Sequence, residues 1–255
     1  MPLRLLAIES ATDWLSIAFA EYENAADAKT LLLCEAEGTR QHTARLMPLI
    51  EGALAELGWS VSQLDALAVS AGPGSFTSQR IGLATAKGLA FGREWAGVAV
   101  STLEAMALGA FEEATVGDLV VPLLDARRGE WYAGGWRRTE SGCAAALPEG
   151  LYDPTTLAAD LPGAVTLCCP DRAGWEAGFV EAGIDIEGRI EGPAARPRAD
   201  RVATLGIAAL GRGEGASVEA LRARYLRRAE AEAQRLGGPV EQGEVARVTK
   251  APTRS

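Results

Sequence analysis

Apolar and polar positions change period several times along the chain, and each change marks an element. Leu3 to Ile8 is a short apolar run of the kind that forms a buried strand. A polar stretch, Glu9-Ser10-Ala11-Thr12-Asp13, follows it, and Trp14 to Phe19 then alternates, so the two runs predict a hairpin. Leu31 to Ala36 predicts a third strand. From His42 to Leu57 the period becomes helical, with Leu46, Leu49, Ile50, Ala53, Leu54 and Leu57 on one face. Pro48 sits near the first turns, so this helix is expected to start late or to kink there. Leu64 to Ser70 predicts a strand that ends in Ala71-Gly72-Pro73-Gly74-Ser75-Phe76-Thr77. A helix from about Thr77 to Phe91, a strand at Gly97 to Val100 and a helix at Leu103 to Phe111 complete this half.

The pattern then restarts. Asp118 to Leu124 is an apolar strand that reaches Asp125, Ala126 to Gly129 is a turn, and Glu130 to Trp136 alternates with aromatic residues. Strand, acid, polar turn and second strand thus occur twice, about 116 residues apart, which reads as an internal duplication. Beyond it the pattern predicts a strand at Ala164 to Cys168 and helices near Asp171 to Glu181, over Ala199 to Leu210 and over Val218 to about Gln234. Residues 236–255 read as a frayed tail. The expected division is an N-terminal lobe at 1–110, a C-terminal lobe at 111–198 and C-terminal helices at 199–235 packing back on both.

Composition narrows the classes. Of 255 residues, 48% are hydrophobic and 23% charged, which excludes a disordered chain because enough apolar surface is available to offset chain entropy. The net charge of −9 makes the whole chain a poor non-specific binder of nucleic acid, whose phosphates demand cationic surface. The basic stretch Arg222, Arg224, Arg227 and Arg228 reads first as a solvated helix face, the alternative being a docking site for an acidic partner or RNA. Cys34, Cys143, Cys168 and Cys169 form no C-x-x-C pair and suit neither zinc nor a redox dithiol. The N-terminal apolar run is too short for a signal peptide and nothing is long enough to span a membrane, so a cytoplasmic location is expected.

Three features could carry chemistry. Gly72, Gly74, Ser75 and Thr77 lie between a strand and a helix, where backbone N–H groups and the helix dipole favour an anion. No Gly-Lys-Ser/Thr follows, and the alternative is a tight turn with Ser75 or Thr77 as the helix N-cap. Glu9, with Ser10 and Thr12 beside it, and Asp125 each close an apolar strand, where an acid could hold a metal-nucleotide, activate water, or simply cap a turn. His42 is the only histidine, which excludes a two-histidine zinc site within the chain, and its position at a helix start predicts a surface or capping role ahead of a general base. The helix after the glycine loop carries Gly82, Ala86 and Ala90 at four-residue spacing, so something packs close to that face, either this chain's own domain or a partner.

These segments, in this order, resemble the TsaB family (also called YeaZ) of bacterial tRNA threonylcarbamoyladenosine biosynthesis proteins. The resemblance rests on Leu6 to Thr12, His42 to Ile50, Gly72 to Thr77 with Arg80 to Ala90, Asp125 to Glu130, and Tyr225-Leu226-Arg227, and spans about residues 3–228. It implies an α/β chain with the two-lobed fold of actin, hexokinase and heat-shock ATPases, built from duplicated ribonuclease-H-like lobes. It implies a non-catalytic partner of the larger homologue TsaD, joined by the ATPase TsaE, in modifying adenosine 37 of tRNAs that read ANN codons. It implies no cofactor or metal in this chain, ATP only at the complex, tRNA bound only through the complex, and a homodimer when the partner is absent. The pairing surface would be the helices at about 43–57 and 77–91, with Leu46, Leu49, Ile50, Ala53, Arg80, Gly82, Leu83, Ala86, Lys87 and Ala90. The family commonly has Asp-Thr-Ser-Thr where Glu9-Ser10-Ala11-Thr12 stand and Gly-Leu where Ser78-Gln79 stand. The enzyme alternatives are a small actin-fold phosphotransferase using the glycine loop for ATP and, against the single histidine, a glycoprotease-type peptidase.

Overall fold

The computed structural model describes residues 1–36, 41–140, 142–170, 175–186 and 188–227. In chain order its elements are β1 (Leu3–Glu9), β2 (Leu15–Tyr22), β3 (Lys29–Ala36), α1 (His42–Leu57), β4 (Ala66–Gly72), α2 (Phe76–Ala90), β5 (Ala96–Ser101) and α3 (Thr102–Ala110). There follow β6 (Leu119–Asp125), β7 (Trp131–Thr139), β8 (Gly142–Tyr152), α4 (Pro154–Asp160), β9 (Thr166–Cys168), α5 (Glu176–Glu181), α6 (Ala199–Gly211) and β10 (Ala216–Ser217). None of the helices is long and apolar enough to cross a membrane among the described residues.

The chain divides into two units, Met1–Gly109 with Pro197–Arg224, and Ala110–Arg196 with Tyr225–Ser255. In the first, the sheet order is β10-β5-β4-β1-β2-β3; β1, β2 and β3 are antiparallel neighbours, while β4 and β5 add in parallel beside β1. In the second, the order is β8-β7-β6-β9, again an antiparallel meander with a parallel strand added beside its first member. The duplication read from the hairpins therefore holds at the level of sheet topology.

Alternation along β1 explains the layers of the first unit. Leu6 and Ile8 face a core shared with Leu46, Ile50 and Ala53 of α1 and Leu83, Ala86 and Ala90 of α2. Leu5 and Ala7 face the opposite side, where Ala199, Val202, Ala203 and Ile207 of α6 pack on Ala18, Ala20, Ala66 and Ala68. Alanine lines that side because α6 lies close: a Cβ on Gly206 would press into the Ala68 side chain. The second unit has its own core, in which Leu119, Val121 and Leu123 of β6 meet Leu157 of α4, Phe179 of α5, Trp175 and Tyr152.

Three differences from the sequence reading stand out. Helix α1 runs from His42 through Pro48, which sits on its exposed side. Strand β8 and helix α4 have no counterpart among the expected elements. Among the described residues, the stretch expected as a last helix from Val218 to Gln234 has only a short turn of 3-10 helix at Val218–Ala220, and Leu221 to Arg227 is not helical. Its i, i+3 apolar spacing belongs to Val218 and Leu221, which enter the first unit's core. Residues 228–255, with Arg228 and the expected tail, lie outside the described residues, as do Asp171 to Gly174 of the expected helix near 171–181, whose α5 begins at Glu176.

Candidate functional site

The glycine loop forms where the sequence places it, and the chain itself occupies it. The Gly72–Pro73 peptide bond is cis, and Gly72 and Gly74 have φ of 111° and 157°. Ser75 caps α2, its side chain accepting from Ser78 N, so the capping alternative is the one realised. The N–H of Ser75 donates to the Ala11 carbonyl at 2.7 Å, and a Cβ on Gly74 would fall on that same carbonyl. A Cβ on Gly72 would meet the Arg224 carbonyl at 2.7 Å and the Gln79 side-chain amide at 2.7 Å. The β1–β2 turn thus takes the Ser75 amide, and Gln79 and Arg224 stand close against Gly72.

Ser10 locks the turn in place. Its Oγ donates to the Ser78 carbonyl at 3.1 Å, its N–H donates to Ser70 Oγ at 3.4 Å, and it is fully buried. Three residues outside the sequence-based set, Ser70, Ser78 and Gln79, complete this closure. The two departures from the family pattern, at Glu9 to Thr12 and at Ser78-Gln79, are therefore in contact through Ser10 and Ser78. Thr12 is buried and its Oγ1 accepts from Trp14 N, while Thr77 is exposed on the first turn of α2.

Glu9 is the electrostatic anomaly of this unit. It is 0% exposed, and one carboxylate oxygen accepts from Ala11 N at 2.7 Å while the other, Oε2, has no partner among the described residues. Burial raises its pKa from an ordinary 4.5 to about 7, against the lowering effect of the bonds from Ala11 and Ser70. A carboxyl so placed is a proton-holding group inside the sheet rather than a water-facing acid.

The residues expected to form a pairing surface mostly face inward. Leu46, Ile50, Ala53, Leu83, Ala86 and Ala90 belong to the first unit's core, and Leu49 packs against it. Gly82 is buried too, and the element that comes close to it is Ser10: a Cβ there would collide with the Ser10 side chain. The apolar stripe of each helix is spent on its own sheet, so Gly82, Ala86 and Ala90 report on packing inside the chain. Of that expected set, only Arg80, lying 3.7 Å over the Phe76 ring, is exposed, with Lys87 half-buried. The outward faces hold different residues: Ala44, Met47, Pro48, Gly52 and Ala55 on α1, and Ala84 and Gly88 on α2, with Phe91 81% exposed at the helix end. A Cβ on Gly52 or Gly88 would meet nothing within 4 Å, so neither glycine is required by the chain's own packing. His42 also departs from expectation, being buried with its Nε2 unpartnered among the described residues.

Asp125 belongs to the second unit and holds a turn. Its Oδ1 accepts from Arg127 N at 2.7 Å. Ala126 N donates to the Glu130 carbonyl and Glu130 N to the Arg127 carbonyl, closing the β6–β7 hairpin. Arg127, Arg128 and Gly129 have φ of 70°, 59° and 78°. Arg128 and Gly129 are the central residues of a hairpin turn with both φ positive, a place where Asn-Gly, Asp-Gly or Gly-Gly is favoured. Arginine in the left-handed region costs about 1–2 kcal/mol for each residue. Arg227 is not on a solvated helix face: its guanidinium donates to the Ala126 carbonyl and to the Glu130 carboxylate and backs this turn. Among the described residues, no group of three His, Cys, Asp or Glu side chains is placed to hold a metal ion.

Comparison with known proteins follows the same lines. The family model described as TsaD, tRNA N6-adenosine threonylcarbamoyltransferase, matches residues 36–166. A tRNA threonylcarbamoyladenosine biosynthesis protein TsaB from Bacillus subtilis is 30% identical over 237 residues, covering 91% of this chain and 97% of that protein. The TsaB proteins of Escherichia coli and Haemophilus influenzae are each 39% identical, over 55% and 51% of this chain. In those two alignments the chain spans 58% and 52% of the relative's length. A crystal structure of a Pseudomonas aeruginosa protein described as similar to peptidase YEAZ superposes with a TM-score of 0.74 at 30% identity, over 88% of this chain and all of that one. The YeaZ structure from the same organism superposes with a TM-score of 0.72 at 29% identity. The order of the two meanders, the glycine loop and the extent of these matches agree, and the chain belongs to the TsaB (YeaZ) family of proteins carrying the TsaD-type domain.

Proposed function

We propose that this chain is a non-catalytic subunit for the formation of threonylcarbamoyladenosine in tRNA, seated on a TsaD-type transferase. The observation that carries the accessory role is the closed glycine loop. A phosphotransferase of this fold needs that loop open to a nucleotide, and here Ala11, Gln79 and Arg224 stand against its glycines. The relatives' names support the pathway; the partners in this reading are the transferase, a TsaE-type ATPase, and tRNA that reads ANN codons and carries adenosine 37 beside its anticodon. In this reading the chain works in the cytoplasm, carries no cofactor of its own, leaves ATP to the assembled complex, and pairs with a second copy of itself when the transferase is missing.

The partner face is the outward side of α1 and α2. Glycine inside a helix is less favourable than alanine by about 1 kcal/mol. Gly52 and Gly88 meet that penalty with open space beside them, and a partner helix approaching closely is the use such positions have. The test is reconstitution: transferase, ATPase, tRNA and threonylcarbamoyl donor, with and without this chain. Modified adenosine is expected only when the chain is present, and none from the chain with tRNA and donor alone. Full modification without the chain contradicts the proposal, as does modification by the chain alone.

A further inference from the structure

Glu9 is joined to the glycine loop through a single residue. Its Oε1 accepts from the Ala11 N–H at 2.7 Å, and the Ala11 carbonyl in turn accepts from Ser75 N at 2.7 Å and lies where a Cβ on Gly74 would fall. A movement of the Glu9 carboxyl is thus passed to the contact that closes the loop. Ser10, between them, ties the same turn to Ser70 and to the Ser78 carbonyl.

Among the described residues, the surroundings of Glu9 give it no countercharge. Alternation puts it on the face of β1 that carries Leu5 and Ala7. Ser16 of β2 is opposite it in register and Ser70 of β4 bonds to it, while the core on that face is apolar, with Val98 and Val100 from β5 and Ala199, Val202 and Ala203 from α6. Thr102, where α3 begins, is a buried hydroxyl. The charged groups of these elements have other places: Asp200 of α6 pairs with Arg198 and Arg201, Glu104 of α3 is half-buried, and Asp13 in the turn is exposed. What acts on the Glu9 carboxyl is burial first, then the Ala11 amide and the Ser70 hydroxyl. A buried carboxylate without a countercharge is costly, so the packing favours the neutral acid, with Oε1 taken by Ala11 and the proton left to Oε2. An ionised Glu9 needs water. Because β1 is paired to β2 on one side and β4 on the other, the way to water without unfolding the sheet is forward, through the turn that ends at Asp13.

From this we infer that Glu9 is the latch of the glycine loop: the neutral acid holds the β1–β2 turn closed on Gly74 and Ser75, and the carboxylate releases it. The latch is a property of the first unit and stands apart from the accessory role. Burial brings the change of state from an ordinary 4.5 up to about 7, so the loop opens and closes in the neutral range.

The test is amide hydrogen exchange of the full chain, read residue by residue by NMR and corrected for the intrinsic pH dependence of exchange. The Ser75 and Ala11 N–H groups should lose protection together, by about 30-fold from about pH 5.5 to about pH 8, most of it below pH 7, because the open form binds the Glu9 proton with ordinary affinity. Low urea should leave their exchange unchanged, as for a local opening, while it speeds exchange of Leu67 in the middle of the sheet. The Arg224 N–H, bonded to the Ala71 carbonyl on the loop's other side, should keep its protection. Glu9→Gln has no proton to lose and should make Ser75 protection independent of pH, whereas Asp13→Asn, in the same turn, should keep the pH profile of the unmodified chain. Ser75 protection that is constant with pH in the unmodified chain, or that falls equally in Glu9→Gln, overturns the latch. So does a loss that follows urea as Leu67 does, or one that Arg224 shares. The urea and Arg224 readings come from the unmodified chain alone, so they decide even where Glu9→Gln does not fold.

Discussion

The β1–β2 turn and the β6–β7 turn hold equivalent places in the two units, and their contents are opposite. Each joins the first two strands of an antiparallel meander and follows an acid at the end of the first strand. In the first unit Glu9, Ser10, Ala11 and Thr12 are all buried, and the turn closes on the glycine loop through Ala11, Ser10 and Gly74. In the second unit Asp125 is only half-buried, and the turn carries two exposed arginines in left-handed conformation. A duplicated scaffold thus fixes where a turn lies and leaves its use to a few side chains. One copy has become an internal packing contact, and the other has stayed on the surface with its strain unrelieved.

The sealed turn breaks most readily at Gly74. Gly74→Ala places a Cβ on the Ala11 carbonyl at a φ that side chains rarely adopt. A loss of about 3 kcal/mol or more is expected, at the upper end of overpacking effects, read by urea unfolding. Gly82→Ala should be milder, and Ser10→Ala in the same chain should recover part of its loss, since the colliding atom is Ser10 Oγ.

Titration sets the two turns apart at Glu9. Native Glu9 keeps its proton up to about pH 7, whereas in the unfolded chain it ionises near its ordinary 4.5. Its contribution to stability is thus full below pH 4.5, is lost between pH 4.5 and about 7, and changes no further above that. Glu9→Gln removes the ionisation. The stability of the variant relative to the unmodified chain should rise by about 3 kcal/mol as the pH goes from below the unfolded value to above the native one, because a tenfold difference in proton affinity is worth about 1.4 kcal/mol. Equal pH profiles in urea unfolding would show that Glu9 is solvated.

The exposed turn should respond in the opposite direction. Arg128→Asn relieves a left-handed arginine and is expected to stabilise the second unit by about 1 kcal/mol, seen as a higher midpoint in thermal unfolding. The smallest effect on stability belongs to the outward helix face. Gly88→Arg puts a better helix former where nothing is in contact, so the chain should unfold at the same point or up to about 1 kcal/mol higher.

Much of this fold was legible because its elements alternate period cleanly. Helix α1 and helix α6 stand within a residue or two of their expected bounds, and both hairpins formed. Strand β8 was hidden because Gly-Cys-Ala-Ala-Ala-Leu-Pro-Glu-Gly lacks β-branched residues, and its Pro148 is tolerated at a sheet edge. Helix α4 did carry a signal, an Asp153 cap with Pro154 at the first helical position. The candidate site was legible as a glycine loop and as acids at strand ends. Its closure was not, since Ser10 to Ser78, and Gln79 and Arg224 to Gly72, are contacts made by the tertiary fold rather than by spacing. The inward turn of Gly82, Ala86 and Ala90 has the same origin: small residues in a helix mark a close approach without saying which element approaches.

A direct test of the partner face is native mass spectrometry of the chain mixed with the TsaD-type transferase of the same organism, as the unmodified protein and as Gly88→Arg. A one-to-one complex with the unmodified chain, absent for a Gly88→Arg chain that still unfolds normally, is the predicted result. A Gly88→Arg chain that pairs as well as the unmodified one, or an unmodified chain that does not pair at all, would contradict it.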